Sequence, residues 1–199
     1  MEDLSAFVLA GGRSSRLGSE KALVELEGET LLVRALRLCR SLTAAVYVAG
    51  PADKFAALGA VVEDVHRGCG PLGAIHAALS ASTTDLNFIL AVDMPFVVPA
   101  FAEHLVAQAR ASGAVVTVPR VGGRFEPLCA VYRRPFRDTA QAALEQGRYK
   151  IDALFPLVTV RVLDADELLR FAFDSAMFQN LNTPSDLQRV RAAMPETRE

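Results

Sequence analysis

The sequence predicts an α/β fold on a mainly parallel sheet, covered by helices on both faces. Three observations predict it. Short apolar runs suited to buried strands alternate with segments of helical periodicity through the first half of the chain. Three of these runs are each followed by a distinctive segment: Gly11-Gly12, the glycine-rich stretch from Asp64, and Asp93-Met94-Pro95. Gly122-Gly123 separates two strand-like segments and adds an antiparallel hairpin. Right-handed crossovers join parallel strands, and ligands sit at the strands' carboxyl ends. Both glycine loops and Asp93 are therefore expected on one edge of the sheet.

Residues 5–10 read as a buried first strand, and a loop runs from Gly11 to about Lys21. Residues 23–26 are a short extended piece, turned by Gly28. Thr30 is the N-cap of a helix in which Leu31, Leu32, Ala35, Leu36, Leu38, Cys39 and Leu42 follow helical spacing. Arg34, Arg37 and Arg40 fall elsewhere on it and read as a solvated face. A second strand at 45–49 ends in Gly50-Pro51, a short helix covers 53–58, and a third strand covers 60–63. Residues 64–73 form a second glycine-rich loop that feeds a helix at 74–80. The apolar run 86–92 is a strand, and 99–111 is helical. Strands at 114–119 and 125–132 flank Gly122-Gly123. A helix at 136–146, a weaker helical turn at 151–154 and a strand at 158–163 follow. The segment 178–187 closes into a last helix reaching about residue 193.

At 199 residues the chain fits a single domain, 1–199, with a substantial core. Its net charge of −2 gives no support for a broad nucleic-acid or membrane surface, so neither partner is expected. Cys39, Cys69 and Cys129 show no metal spacing or disulfide framework and read as small buried hydrophobes. His66, His76 and His104 make no ligand cluster, so no zinc site is expected. The acidic start, Met1-Glu2-Asp3-Leu4, is unlike a signal peptide. No apolar run reaches the roughly 20 residues of a membrane helix. The expected location is cytoplasmic.

The opening loop offers glycines, two arginines and a lysine after an apolar strand, which suits phosphates. It is not a P-loop, because Gly18 is followed by Ser19 and Lys21 comes three residues on. The dinucleotide pattern also fails, since Gly11 and Gly12 are adjacent. A longer loop can fold over a triphosphate, with Arg16 for bidentate contact and Lys21 as a point charge. A surface loop with solvated charges would carry the same glycines. Asp93, ending a strand, is the type of lone carboxylate that Mg²⁺ shares with substrate phosphates. A turn-forming Asp before proline would look alike, and Asp64 poses the same choice. Gly70-Pro71-Leu72-Gly73 permits close approach of a ligand and precedes a helix N-terminus, or is a packing turn. Thr183-Pro184-Ser185-Asp186 is explained as a helix cap. Asn180 and Asn182 are not, and they either bond a ligand's polar rim or close the loop.

Five motifs in order extend this reading: Leu9-Ala10-Gly11-Gly12 with Arg16, Gly18 and Lys21; Gly70-Pro71-Leu72-Gly73; Asp93-Met94-Pro95-Phe96; Glu126-Pro127-Leu128; and Phe178 through Leu187. By them the chain resembles the molybdenum cofactor guanylyltransferases, within the wider NTP-transferase group. The resemblance covers nearly the whole chain. It implies a three-layer α/β/α, Rossmann-like nucleotidyltransferase fold whose N-terminal part binds the NTP and whose C-terminal part binds the acceptor. It implies transfer of GMP from GTP to a molybdopterin-type cofactor with Mg²⁺, releasing pyrophosphate. It leaves room for transient contacts with cofactor-delivery proteins.

By motif position, the resemblance implies that Leu9, Ala10, Gly11 and Gly12 line the GTP site and Lys21 contacts its phosphates. Asp64 would contact the nucleotide and Asp93 would hold Mg²⁺. Arg16, Lys21 and Asp93 form the expected catalytic set. Gly70, Pro71, Leu72, Gly73, Asn180 and Asn182 form the expected acceptor side. Two departures stand out. Glu20 replaces an Asp often found before the lysine, and Ala49 with Gly50-Pro51 occupies the place of an asparagine that contacts guanine in some members. Relatives that use CTP tend to read Leu-Ala-Ala-Gly, so Gly12 leans towards GTP. The rival readings are a cytidylyltransferase, a sugar-1-phosphate transferase and a non-catalytic nucleotide- or pterin-binding module.

Overall fold

The computed structural model describes residues 3–11, 21–66 and 68–193. Strand β1 (Leu4–Leu9) is buried along its whole length. It pairs in parallel with β4 (Val46–Ala49) on one side and β6 (Leu86–Ala91) on the other. β4 pairs in parallel with β5 (Ala60–Val62). β9 (Cys129–Arg133) runs antiparallel between β6 and β7 (Val116–Val121), and β10 (Val160–Leu163) adds a parallel edge to β7. The order is β10-β7-β9-β6-β1-β4-β5. The expected mainly parallel sheet with an antiparallel element is therefore present.

Alternation along β1 sorts the core into two layers. Leu4, Ala6 and Val8 pack on one face, with α1 (Leu31–Leu42) and α4 (Pro99–Ser112). Phe7 and Leu9 pack on the other, with α3 (Gly70–Ala81) and α5 (Phe136–Glu145). α1 starts where the Thr30 side chain accepts the Val33 N–H at 3.3 Å. Its buried residues are the seven expected from the spacing. The arginines on its other face are ion-paired: Arg34 with Glu27 and Arg37 with Glu29. Before α1, β2 (Glu25–Leu26) and β3 (Glu29–Thr30) make a tight hairpin, with positive φ at Glu27 and Gly28.

Several elements differ from the sequence reading. α3 begins at Gly70, not at residue 74, so Gly70-Pro71-Leu72-Gly73 is its first turn rather than a loop before it. Proline belongs there because first-turn N–H groups have no intrahelical acceptor. The 125–132 strand is broken. β8 (Arg124–Phe125) pairs the end of β7 across Gly122-Gly123, and the chain leaves the ladder before β9. Pro127 has no N–H to donate to a ladder. Finally, α6 (Ala165–Arg170) and a 3₁₀ turn (Ser175–Phe178) precede α7 (Pro184–Ala193), and neither is expected from the periodicity. Both are too short to show one. α2 (Ala52–Phe55) is shorter than the sequence suggests. Among the described residues no helix is long and apolar enough to cross a membrane.

Candidate active site

The strand order reverses between β1 and β6, where α/β sheets open a crevice at their carboxyl edge. A cleft of about 1290 Å³ lies there. It exceeds the roughly 300–1,000 Å³ of a single small-ligand site. Leu9, Ala10 and Gly11 after β1, Ala49, Gly50 and Pro51 after β4, and Ala91, Val92 and Asp93 at the end of β6 line its base. Main-chain bonds lock these ends together. Ala10 and Gly11 N–H both donate to Ala49 O, at 3.0 and 3.1 Å, and Val92 N–H donates to Leu9 O at 3.1 Å. Those two amides are therefore engaged. Gly12 and Arg16 of the opening loop lie outside the described residues. Gly50 answers to packing, because a Cβ there would stand 2.9 Å from the Phe55 ring.

Lys21 joins three distant parts of the chain. Its Nζ donates to Asp93 Oδ2 at 2.6 Å and to Asn182 Oδ1 at 2.7 Å. The lysine and aspartate side chains are only 17% and 20% exposed, so solvent screens the pair incompletely. Lys21 opens a 3₁₀ turn whose Ala22 is buried. Asn182 is held from both sides. Leu181 N–H donates to Asp93 O at 2.9 Å. Asn182 and Thr183 N–H both donate to the Asp186 carboxylate, at 3.0 and 2.8 Å, while Asp186 N–H donates back to Thr183 Oγ1. This is a reciprocal cap at the start of α7. The hydrogen bond with Thr183, then the Asn182 N–H, hold the Asp186 carboxyl below its usual range. The helix cap thus also fixes a residue of the cleft.

Asp64 is half-buried at the end of β5, where its Oδ1 accepts the His66 N–H at 2.8 Å. A Cβ on Gly73 would lie 2.8 Å from Asp64 Oδ2, so glycine in the first turn of α3 makes room for this carboxylate. Gly70 and Pro71 line the cleft. Leu72 is instead fully buried in the core, and Gly73 is buried behind Asp64. Among the described residues Asn180 is exposed and is not part of the cleft lining. Leu128 reaches the cleft because its carbonyl accepts the Ala91 N–H at 2.8 Å, which brings the Glu126-Pro127-Leu128 motif to the end of β6. Burial pushes the Glu126 carboxyl above its usual range. Asp53 and Glu63 also line the cleft, and sequence reasoning did not select them. Their signal was position: Glu63 follows a strand, just as Asp93 does.

The family model for the MobA-like NTP transferase domain matches residues 6–159. The chain belongs to this family. It is 35% identical over 200 residues to a protein of Pelotomaculum thermopropionicum named "Probable molybdenum cofactor guanylyltransferase", covering 100% of this chain and 97% of that one. It is 30% identical over 197 residues to a molybdenum cofactor guanylyltransferase of Desulfosudis oleivorans, covering 98% and 97%. Among solved structures, molybdopterin-guanine dinucleotide biosynthesis protein A of Archaeoglobus fulgidus superposes with a TM-score of 0.84 at 30% identity, covering 96% of this chain and 100% of that one. This MobA-like chain has the three-layer α/β fold of its nucleotidyltransferase relatives.

Proposed function

We propose that this protein transfers GMP from GTP to a molybdopterin-type cofactor, forming the guanine dinucleotide cofactor and releasing pyrophosphate. One observation carries the reading: in a MobA-like chain, Lys21, Asp93 and Asn182 converge in a cleft at the strand-order reversal. An acceptor phosphate oxygen attacks the α-phosphorus of GTP in line. The α-phosphorus–oxygen bond to the β-phosphate breaks, and pyrophosphate carries that electron pair away. No enzyme nucleophile is needed, so the residues act by positioning and by charge neutralisation. Lys21 reaches both Asp93 and Asn182, and its ammonium would balance charge on the phosphates. Asn182, fixed by the α7 cap, would hydrogen-bond the acceptor.

Asp93 fits a Mg²⁺ site. It is a partly exposed carboxylate in the cleft, with Oδ2 engaged by Lys21, and among the described residues no cluster of three or more His, Cys, Asp and Glu forms a closed cage. Magnesium commonly takes one or two carboxylates and completes its shell with phosphates and water. When bound, it would neutralise charge on the phosphate oxygens. The reading is tested by pyrophosphate release with GTP and with CTP at equal concentration, with a molybdopterin acceptor and Mg²⁺. GTP is expected to support faster release. Faster release with CTP would contradict the base assignment.

A further inference from the structure

The cleft is divided by charge. Lys21 stands at the end of β1 and β6, while Asp53, Glu63 and Asp64 line the end beyond β4 and β5. Lys21 is paired there with Asp93, so a triphosphate meets a neutral pair at the first end and three repelling carboxylates at the second. A nucleotide with its phosphates at Lys21 therefore directs its base towards the carboxylates. Guanine suits them, because its N1–H and 2-amino group are adjacent donors and a carboxylate offers two adjacent acceptor oxygens. Cytosine offers one amino donor beside two acceptors, which a carboxylate matches poorly.

Among the three, Glu63 is best placed. Asp64 accepts the His66 N–H on Oδ1, and its carboxylate lies where a Cβ on Gly73 of α3 would fall, so it faces the first turn of that helix. Asp53, exposed like Glu63, stands on the four-residue helix α2. Glu63 follows the edge strand β5, and its Oε1 accepts the Ala52 N–H at 3.1 Å. That bond pins the carboxylate across the end of β4, beside Pro51 of the cleft lining. The Gly50 N–H is already used by Val62 O at 3.0 Å, and Pro51 has none to offer. We propose that Glu63 specifies guanine in this cleft, receiving N1–H and the 2-amino group on its carboxylate. The inference rests on the GTP reading above.

The test is isothermal titration of the full chain with GTP and with ITP, which lacks the 2-amino group, in Mg²⁺ and without acceptor. The unsubstituted protein is expected to bind GTP at least about tenfold more tightly than ITP, the worth of one hydrogen bond to a charged acceptor. Glu63→Ala should bring the ratio to about one, chiefly by weakening GTP. Glu63→Gln, which can still accept from Ala52, should fall between. An unchanged ratio in Glu63→Ala, with its unfolding transition intact, would overturn the inference while leaving the GTP reading standing. Equal binding of GTP and ITP by the unsubstituted protein would do the same. Binding of neither nucleotide would overturn the GTP reading and the inference with it.

Discussion

At Lys21, one ammonium group meets two partners that the chain supplies 72 and 161 residues later. Each of the three residues stood out in the sequence for a local reason. Lys21 follows a glycine loop, Asp93 ends an apolar strand, and Asn182 sits outside the needs of its helix cap. The topology rule brings the loop that ends at Lys21 and Asp93 to one sheet edge, but the direct contacts with Asp93 and Asn182 were not legible, because spacing along a chain carries no distance across that edge. Other site residues were hidden for the opposite reason. Pro51 and Glu63 look like an ordinary turn and an ordinary strand end. Lys21→Ala should lower kcat/KM for GTP by about 10²–10³-fold, the usual cost of one well-placed electrostatic contact. Asp93→Ala should abolish Mg²⁺-dependent pyrophosphate release. Near-normal release in that variant would remove Asp93 from the metal role.

Elements with a strong period were readable and short ones were not. α1 shows its face directly, because seven apolar residues repeat at helical spacing beneath a threonine cap. The first turn of α3 is hidden in the sequence, because its two glycines and a proline resemble a loop. The glycine at 73 is there for Asp64, a reason that only packing reveals. α3 also carries a buried histidine. His76 is 9% exposed, packs edge-on to His66, and among the described residues its Nδ1 has no hydrogen-bond partner. Burial first, then the nearby His66 and Arg137, push its pKa below the ordinary 6.5. A depressed pKa means that the folded state resists the charged form. The stability it contributes is present above the unfolded value and is lost as pH falls through the folded one. The urea midpoint should therefore drop from about pH 7 to about pH 5. His76→Gln should flatten that slope, and an unchanged slope would assign it to other groups.

On the scale of the molecule, one sheet with two packed layers brings four strand ends to a single cleft. The alternation of strands and helices in the first half made this architecture legible, and the glycine pair at 122–123 made the antiparallel element legible. The second half was harder to read, since Pro127 breaks a strand and the turns after β10 are short. The fold places a cation and a lone carboxylate on one side of the cleft and three carboxylates on the other. In the proposed reaction that polarity would orient a nucleotide for attack at its α-phosphorus. The most direct measurement uses GTP labelled at the α-phosphate, incubated with the protein, Mg²⁺ and a molybdopterin acceptor. Label should appear in the acceptor product, with one pyrophosphate released per label transferred. Label that stays in GTP, or leaves as free GMP without entering the acceptor, would contradict the account.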